Sequence, residues 1–357
     1  MNIVKNILLF WGLIFIIGCN VCDNSGETAE RTPKNILYSA KLINSSFTAV
    51  YGVERSGDLL EIISNDAVLL SPPSKDAKLA VLSPTDKHTA IYLIDMKTGE
   101  SKQIIAVEAP KSIIDYGLSA DSKKLYYLDN QNNCFLVDIA SKSSKTISNT
   151  VNTDLKPSFT QDSKYFSYLI SNGDKADNTL KIVDVENPDR EIHSFALPYQ
   201  INKFNSHSGA GMSWSADSKL LLFSVLHNDE INGEIAKILA VDLSNLSLDL
   251  LNLRRISASE PVISPDSKYL VFIDTEGNIR KAIKGINGEE LITNIVKVNI
   301  GERCQFPSFN SAGTSLLYSK RSEYSTLQFD GNLYVTDLNT GNSRYLFSNV
   351  YAGFWYK

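Results

Sequence analysis

The chain has 357 residues, of which 43% are hydrophobic and 21% are charged. This composition is typical of a folded protein and excludes extended disorder or a fibrous repeat. The 35 Lys and Arg side chains and the 40 Asp and Glu side chains give a formal net charge of −5. Because phosphate backbones are bound by basic surfaces, this balance argues against a nucleic-acid partner.

The first 18 residues have the features of a secretory signal peptide. A single charge at Lys5 precedes an apolar run from Ile7 to Ile17. As a helix this run would rise about 16 Å, roughly half of a bilayer's hydrocarbon thickness, so it is too short to span a membrane. The sequence Ile16-Ile17-Gly18-Cys19 resembles the lipobox of bacterial lipoproteins, in which the cysteine accepts a diacylglycerol and becomes the new N-terminus.

The lipobox resemblance implies a lipid anchor on Cys19 and a location in the bacterial cell envelope, facing the periplasm or the cell exterior. A plain secretory signal, in which Cys19 has no role, is the alternative. Residues 19–34 are mostly polar and predict a flexible tether, which leaves residues 35–357 as one folded domain. The remaining cysteines, at 22, 134 and 304, are odd in number and widely spaced, which argues against a disulfide framework or a zinc site.

From residue 66 onward the sequence repeats at intervals of 41 to 55 residues. Each of six units has a short apolar segment, a turn, a β-forming run, a loop, a second run and a short third one. The turns are Asp76-Ala77-Lys78, Asp121-Ser122-Lys123, Asp162-Ser163-Lys164, Asp217-Ser218-Lys219, Asp266-Ser267-Lys268 and the divergent Ala312-Gly313-Thr314. In five units the second run ends at an Asp, namely Asp95, Asp138, Asp184, Asp242 and Asp337. Four short strands per unit are typical of one β-propeller blade.

The two ends of the domain complete this repeat. Three strand candidates lie at Ile36 to Lys41, Phe47 to Val53 and Leu59 to Ile63, and a lone inner-type strand lies at Tyr351 to Tyr356. Joining them would form another blade and remove an exposed edge. The sequence therefore predicts an all-β, seven-bladed propeller with four-stranded antiparallel blades. A six-bladed ring, with the N-terminal strands packed outside it, is the alternative.

The clearest of the turns, Ser264-Pro265-Asp266-Ser267-Lys268, resembles the repeat of the TolB-like propellers, and the resemblance covers roughly residues 66–349. It implies a fold rather than an activity. TolB has an α/β domain ahead of its propeller, whereas this chain has a lipobox, so we do not expect it to act as TolB itself.

The sequence lacks recognisable catalytic motifs. The segment from Gly211 to Ser215 begins like a nucleophile elbow but lacks the second glycine and belongs to a repeat strand. The recurrent turn aspartates are the residues that a tight turn requires, so we expect them to be structural. These features favour a binding protein over an enzyme, and we expect no cofactor.

Loop length indicates where binding occurs. The connections between blades and those between second and third strands emerge on one face of a propeller. On this face the long segments are 172–178, 198–211, 227–234 and 321–331, whereas the opposite face has mostly tight turns. Long loops on a rigid rim often carry binding residues. The predicted ligand-binding residues are Asn172, Asp174, Tyr199, Asn205, His207, His227, Asp229, Arg303, Arg321 and Tyr324.

We expect this rim to bind a protein, peptide or glycan of the envelope, or to serve as a scaffold in an envelope assembly. An enzyme is the alternative, because His88, His207 and His227 would lie on the same face and could hold a metal ion. Some TolB-like propellers are lyases of pectate fragments with a His-rich metal centre. That resemblance implies a metal-dependent polysaccharide lyase or hydrolase, provided that the three histidines converge.

Overall fold

The computed structural model describes residues 36–41, 48–53, 60–65, 67–84, 88–171, 178–202, 211–229, 233–251, 253, 256–284, 290–324 and 331–355. These residues form strands and turns, and they include no helix that is long and apolar enough to cross a membrane. The predicted signal peptide, the tether and Cys19 lie outside the described residues, so their assignments stay predictions.

The strands group into antiparallel sheets that follow the chain order. The first three strands are β1 (Ile36–Lys41), β2 (Thr48–Val53) and β3 (Leu60–Asn65). Blade 2 contains β4 (Lys78–Pro84), β5 (His88–Asp95) and β6 (Ser101–Glu108). Blade 3 contains β7 (Ile113–Leu118), β8 (Lys124–Asp129), β9 (Cys134–Asp138) and β10 (Ser144–Ser148). Blade 4 contains β11 (Ser158–Phe159), β12 (Tyr165–Ser171), β13 (Asn178–Asp184) and β14 (Glu191–Leu197).

Blade 5 has an additional strand and contains β15 (Gln200–Ile201), β16 (Ser213–Trp214), β17 (Leu220–Asp229), β18 (Gly233–Asp242) and β19 (Ser247–Leu250). Blade 6 contains β20 (Ala258–Ile263), β21 (Tyr269–Asp274), β22 (Ile279–Lys284) and β23 (Glu290–Val296). Blade 7 contains β24 (Glu302–Phe309), β25 (Ser315–Ser322), β26 (Gly331–Asp337) and the first part of β27 (Ser343–Trp355). In blade 2 the inner position is reduced to one bridge, between Val68 and Leu82.

The last strand closes the ring. The start of β27 pairs with β26, and its end pairs with β1, where Leu37 lies opposite Phe354 and Tyr38 opposite Gly353. This segment is the inner strand of blade 1, followed by β1, β2 and β3. A Cβ at Gly353 would lie 2.9 Å from the Leu333 side chain, so a larger residue there would force that side chain to shift. The seven-bladed prediction is therefore confirmed, and the six-bladed alternative is wrong.

The hydrophobic core is divided into seven clusters, each between two neighbouring blades. Strand β17 shows why. Leu221 and Phe223 pack against blade 4, whereas the intervening Leu222 is in the cluster shared with blade 6. Successive side chains of a strand point to opposite faces, so each central strand contributes apolar residues to two interfaces between blades.

In blades 2 to 7, the turn before the second strand has a recurring hydrogen-bond pattern. In blade 5 the Ser215 hydroxyl donates to the Asp217 carboxylate (2.6 Å) and accepts from the Leu220 amide (2.9 Å). Ser218 then has a left-handed backbone, with φ of 60°, and Gly313 takes this position in the divergent sixth turn, with φ of 68°. Glycine adopts this conformation without steric cost, so the divergent turn preserves the same backbone path.

These turns are also linked from blade to blade. The amide of Asp121 donates to the Ser163 hydroxyl of the next blade (3.2 Å), and the amide of Asp162 donates to the Ser218 hydroxyl (3.2 Å). Hydrogen bonds between blades at this level supplement the apolar clusters. Ser163 and Ser218 therefore both adopt the turn conformation and couple adjacent blades.

The aspartates that end the third strands stabilise the turn that follows. Strands β5, β9, β13, β18 and β26 end at Asp95, Asp138, Asp184, Asp242 and Asp337, as predicted. The Asp138 carboxylate accepts from the amide and hydroxyl of Ser141, both at 2.8 Å. Both kinds of turn lie on one face of the propeller, which we call the turn face. The opposite face, formed by the connections between blades and those between second and third strands, is the loop face.

Candidate binding surface

Half of the predicted rim residues can be located in full. Asn172, Asp174, Asn205 and His207 lie outside the described residues. Asp229 ends β17 and His88 begins β5, but the side chains of these two residues are not described. The remaining predicted residues fall into two groups on the loop face, one at blade 5 and one at blade 7. They are Tyr199, His227, Arg303, Arg321 and Tyr324.

The first group forms a cleft at blade 5. The ring of Tyr199 meets the ring of His227 edge-on, with centroids 6.2 Å apart. The cleft has a volume of about 230 Å³ and is lined by Pro198, Tyr199, Gln200, Leu226, His227, Asn228 and Glu234. The prediction that Tyr199 and His227 lie on the same face is therefore correct, and the two rings are in contact range. The aromatic, amide and carboxylate groups that line the cleft offer both stacking and hydrogen bonding to a ligand.

Local strand pairing creates this cleft. After Pro198 the chain enters β15, where Gln200 and Ile201 pair with Leu226 and Val225 of β17. Only then does it reach the inner strand β16, which pairs with the other end of β17. The sequence predicted this region as a long loop and did not predict β15. A two-residue strand has too few residues to show an alternating pattern, so sequence periodicity gave no signal for it.

The second group lies at the start of β24 and the end of β25. Arg303 was predicted as a rim loop residue, but it lies within β24 and is only 5% exposed. Its register partner is Arg321, which is half-buried. The correction has a simple cause, because the loop before β24 is short and the strand begins at Glu302, one residue earlier.

Buried polar groups surround Arg303. Its Nη2 donates to the Ser259 hydroxyl at 3.2 Å, and Ser259 is on the inner strand of blade 6. Burial lowers the pKa of Arg303, although the nearby Glu260 and Glu323 favour its charged form. Close by, Arg280 donates to the nearly fully buried Asp274 at 2.5 Å. Through its bond to Ser259, Arg303 joins blades 6 and 7, and its role as a ligand-binding residue stays a prediction.

Tyr324 is the exposed member of this group, with 81% of its surface accessible. Ile300, which precedes Gly301 in the chain, is fully exposed. The Glu323 amide donates to the Gly301 carbonyl at 2.8 Å, and a Cβ on Gly301 would lie 3.3 Å from the Tyr324 ring. The connection between blades 6 and 7 is thereby fixed to the end of β25. We call Ile300, Arg321 and Tyr324 the blade 7 patch.

Ile300 was missed from the sequence. The sequence gave a weak signal that Ile300 is exposed. This isoleucine directly precedes Gly301 in a polar connection, where an apolar side chain belongs to no strand. Single exposed hydrophobic residues are common on protein surfaces. What marks this one is the exposed tyrosine beside it, which only the folded structure brings close.

Within the described residues, no group of three or more His, Cys, Asp or Glu side chains is arranged to hold a metal ion. His227 contacts Tyr199, and β5, which begins at His88, is in blade 2. Since His207 and the His88 side chain are not described, the convergence of the three histidines stays a prediction.

No protein family model matches the sequence, and no curated protein matches it. Solved structures do match its fold. TolB from Acinetobacter baumannii aligns with a TM-score of 0.50 at 15% identity, over 92% of this chain and 80% of its own. The predicted likeness to TolB is confirmed at the level of the fold.

Two other propellers align at least as well. The β-propeller domain of the Trilobed protease from Pyrococcus furiosus, described as having an open velcro topology, has a TM-score of 0.59 at 12% identity, over 90% of this chain and 95% of its own. A quinonprotein alcohol dehydrogenase-like protein from Bacteroides thetaiotaomicron has a TM-score of 0.56 at 12% identity, over 90% of this chain and 76% of its own. Because these proteins differ in their described roles, the likeness concerns the fold alone.

Proposed function

We propose that this chain is a lipid-anchored protein of the bacterial cell envelope that binds a protein partner through the loop face of its propeller. The lipobox at Cys19 supports the anchor. The propeller supports a binding or scaffold role, because it is a rigid ring whose long connections are gathered on one face.

The observation that carries the proposal is the blade 7 patch. Ile300 and Tyr324 are both exposed, Gly301 next to Ile300 lies against the Tyr324 ring, and Arg321 lies on the adjoining strand. Interface residues that dominate binding energy are enriched in tyrosine and arginine, and they cluster with apolar contacts. This composition favours a protein partner for the blade 7 patch.

The test compares chains carrying single substitutions after cross-linking in intact envelopes. We expect the wild-type chain to yield a defined cross-linked partner, and the Tyr324→Ser and Ile300→Ser variants to lose most of it. Tyr345→Ser is the matched control, because Tyr345 is 51% exposed but lies on the outer strand of blade 7. Equal cross-linking by all four chains would contradict the proposed role of the patch. In the same envelopes, we expect the Cys19→Ala variant to be lost from the membrane fraction. Its retention in that fraction would contradict the lipid anchor.

A further inference from the structure

The hairpin formed by β17 and β18 extends beyond its neighbours in blade 5. These strands pair along ten residues each, from Leu220 opposite Asp242 to Asp229 opposite Gly233. On the inner side, β15 and β16 cover β17 only as far as Leu226. The last three residues of β17 therefore lie past the end of the strand that covers its inner edge.

The hydrogen-bond alternation shows which backbone groups face that uncovered side. Ser215 donates its amide to the Leu220 carbonyl, and Asn202 donates its amide to the Ser224 carbonyl. In an antiparallel strand the residues that bond to one side alternate. The even-numbered residues of β17 therefore face inward, and Asn228 continues that series.

The chain cannot pair with Asn228 in the way that it pairs with Leu226. In the register of β15, the residue opposite Asn228 would be Pro198, which has no amide hydrogen. No described residue bonds to the inward backbone groups of Asn228. This edge is one wall of the Tyr199–His227 cleft, since Asn228 and Pro198 both line it. An unpaired strand edge that borders a cleft is a site where an extended peptide can add as a further strand.

The charge of the hairpin indicates what kind of peptide fits. From His227 to Glu234 the sequence contains Asp229, Glu230 and Glu234 and no Lys or Arg. Glu234 is exposed, lines the cleft and lies opposite Asn228 in the hairpin register. The carboxylate of Glu234 favours a basic side chain on an incoming strand that pairs with Asn228.

From these observations we infer that the cleft binds a short, extended, lysine- or arginine-containing segment of a polypeptide, which pairs with the backbone of Asn228 and lies against Tyr199. This inference names the partner chemistry within the proposed protein-binding role and rests on it. It concerns a different part of the loop face from the blade 7 patch.

The test measures binding of defined peptides to the full chain in detergent by fluorescence anisotropy. The probe is a labelled six-residue peptide of alternating Lys and Val. Methylating its backbone amides at alternate positions removes the hydrogen bonds of one edge, and replacing Lys by Glu reverses its charge. Loss of one or two backbone hydrogen bonds should weaken binding by about tenfold or more. We expect both modified peptides to bind at least that much more weakly than the probe.

Two protein variants form a matched pair. Asn228→Pro removes the inward amide without removing a bond to β18, and we expect it to weaken binding of the probe by about tenfold. Asn228→Ala keeps the amide and loses only the exposed side chain, so its affinity should stay within about twofold. If Asn228→Pro does not fold, the methylated peptides test the same bond on the wild-type chain.

Three results would overturn the inference. They are an absence of binding by the probe, equal binding of the methylated peptide, and equal affinities of folded Asn228→Pro and wild type. Equal binding of the methylated peptide would mean that charge attraction alone holds it. The Tyr324→Ser variant separates this inference from the blade 7 patch, because it should bind the probe as wild type does. If Tyr324→Ser loses cross-linking but still binds the probe, both the role of the blade 7 patch and the peptide-binding cleft are supported. Each of the two can be contradicted without the other.

Discussion

On the turn face, blades 2 to 7 repeat nearly the same short turn before the second strand, whereas on the loop face the connections differ from blade to blade in length and in chemistry. The turn face uses small hydroxyl and carboxylate side chains whose hydrogen bonds are made within the turn or to the next blade. The loop face has a cleft at blade 5 and an exposed isoleucine and tyrosine at blade 7. The contacts of the turn face therefore stabilise the ring of blades, whereas the connections of the loop face can vary in sequence without disrupting it.

The conspicuous acidic residues belong to the face that preserves the ring. Burial disfavours the charged form of Asp76, but hydrogen bonds from Ser122 and Ser74 outweigh this effect and lower the pKa of its carboxyl. Asp217 also has a lowered pKa, and the hydrogen bond from Ser215 is its main cause. A row of aspartates with lowered pKa values therefore need not mark a catalytic site, because here the partners that lower them are turn residues.

Breaking ring closure should affect both faces and have the largest effect. Leu37 is fully buried between blades 1 and 2, on the strand that pairs with the end of β27. We expect Leu37→Ala to lower the free energy of unfolding by about 2–5 kcal/mol, as measured by urea denaturation. Leu291→Ala is the control, because Leu291 is 55% exposed and its loss should cost no more than about 0.5 kcal/mol. Equal stabilities of the two variants would argue that closure contributes little.

A smaller effect is expected where only the turn face is changed. Ser215→Ala removes the hydroxyl that holds Asp217 and leaves the Leu220 amide without that acceptor. We expect a loss of about 1–2 kcal/mol in the free energy of unfolding. Ser215→Thr should retain most of it, because Thr160 makes the corresponding hydrogen bonds in blade 4. A threonine variant as unstable as the alanine variant would show that packing, not the hydroxyl, determines the effect.

The smallest effect concerns pH. Hydrogen bonds from Ser141, followed by that from Lys124, lower the pKa of Asp138 to about 2. Because this value is below that of an unfolded aspartate, about 3.9, the carboxylate stabilises the fold above about pH 4 and stops doing so as the pH falls towards 2. Asp138 is partly exposed, so Asp138→Asn should lower Tm by no more than about 2 °C at pH 7.

Calorimetry at several pH values checks this prediction. The difference in Tm between wild type and Asp138→Asn should shrink between pH 4 and pH 2. A constant difference over this range would indicate that the substitution acts through something other than the charge of the carboxylate.

The fold could be predicted because its signals are repeated and local. An Asp closes the third strand in five units, and the closing blade followed from three strands at one end of the domain and one at the other. The cleft and the patch could not be predicted in the same way. Pairing of Gln200 with Leu226 joins segments that no periodicity connects, and the short loop that buries Arg303 looks in sequence like any polar connection.

The sequence thus predicted the face on which the candidate residues lie, but not which residues come together there. Tyr199, His227 and Tyr324 were predicted on the loop face and lie there, because the order of strands in a blade determines which connections share a face. Ile300 was absent from the prediction, since its exposure depends on the turn that brings Gly301 to the end of β25. Strand order can be deduced from a repeat, whereas the contacts between two different connections depend on their individual conformations.

Strand β1 has a neighbour on each side, β2 and the end of β27, although it is the first described strand of the chain. A load that enters the propeller at Ile36 would consequently be opposed by the hydrogen bonds of two ladders. The same load on an edge strand would be opposed by those of a single neighbour.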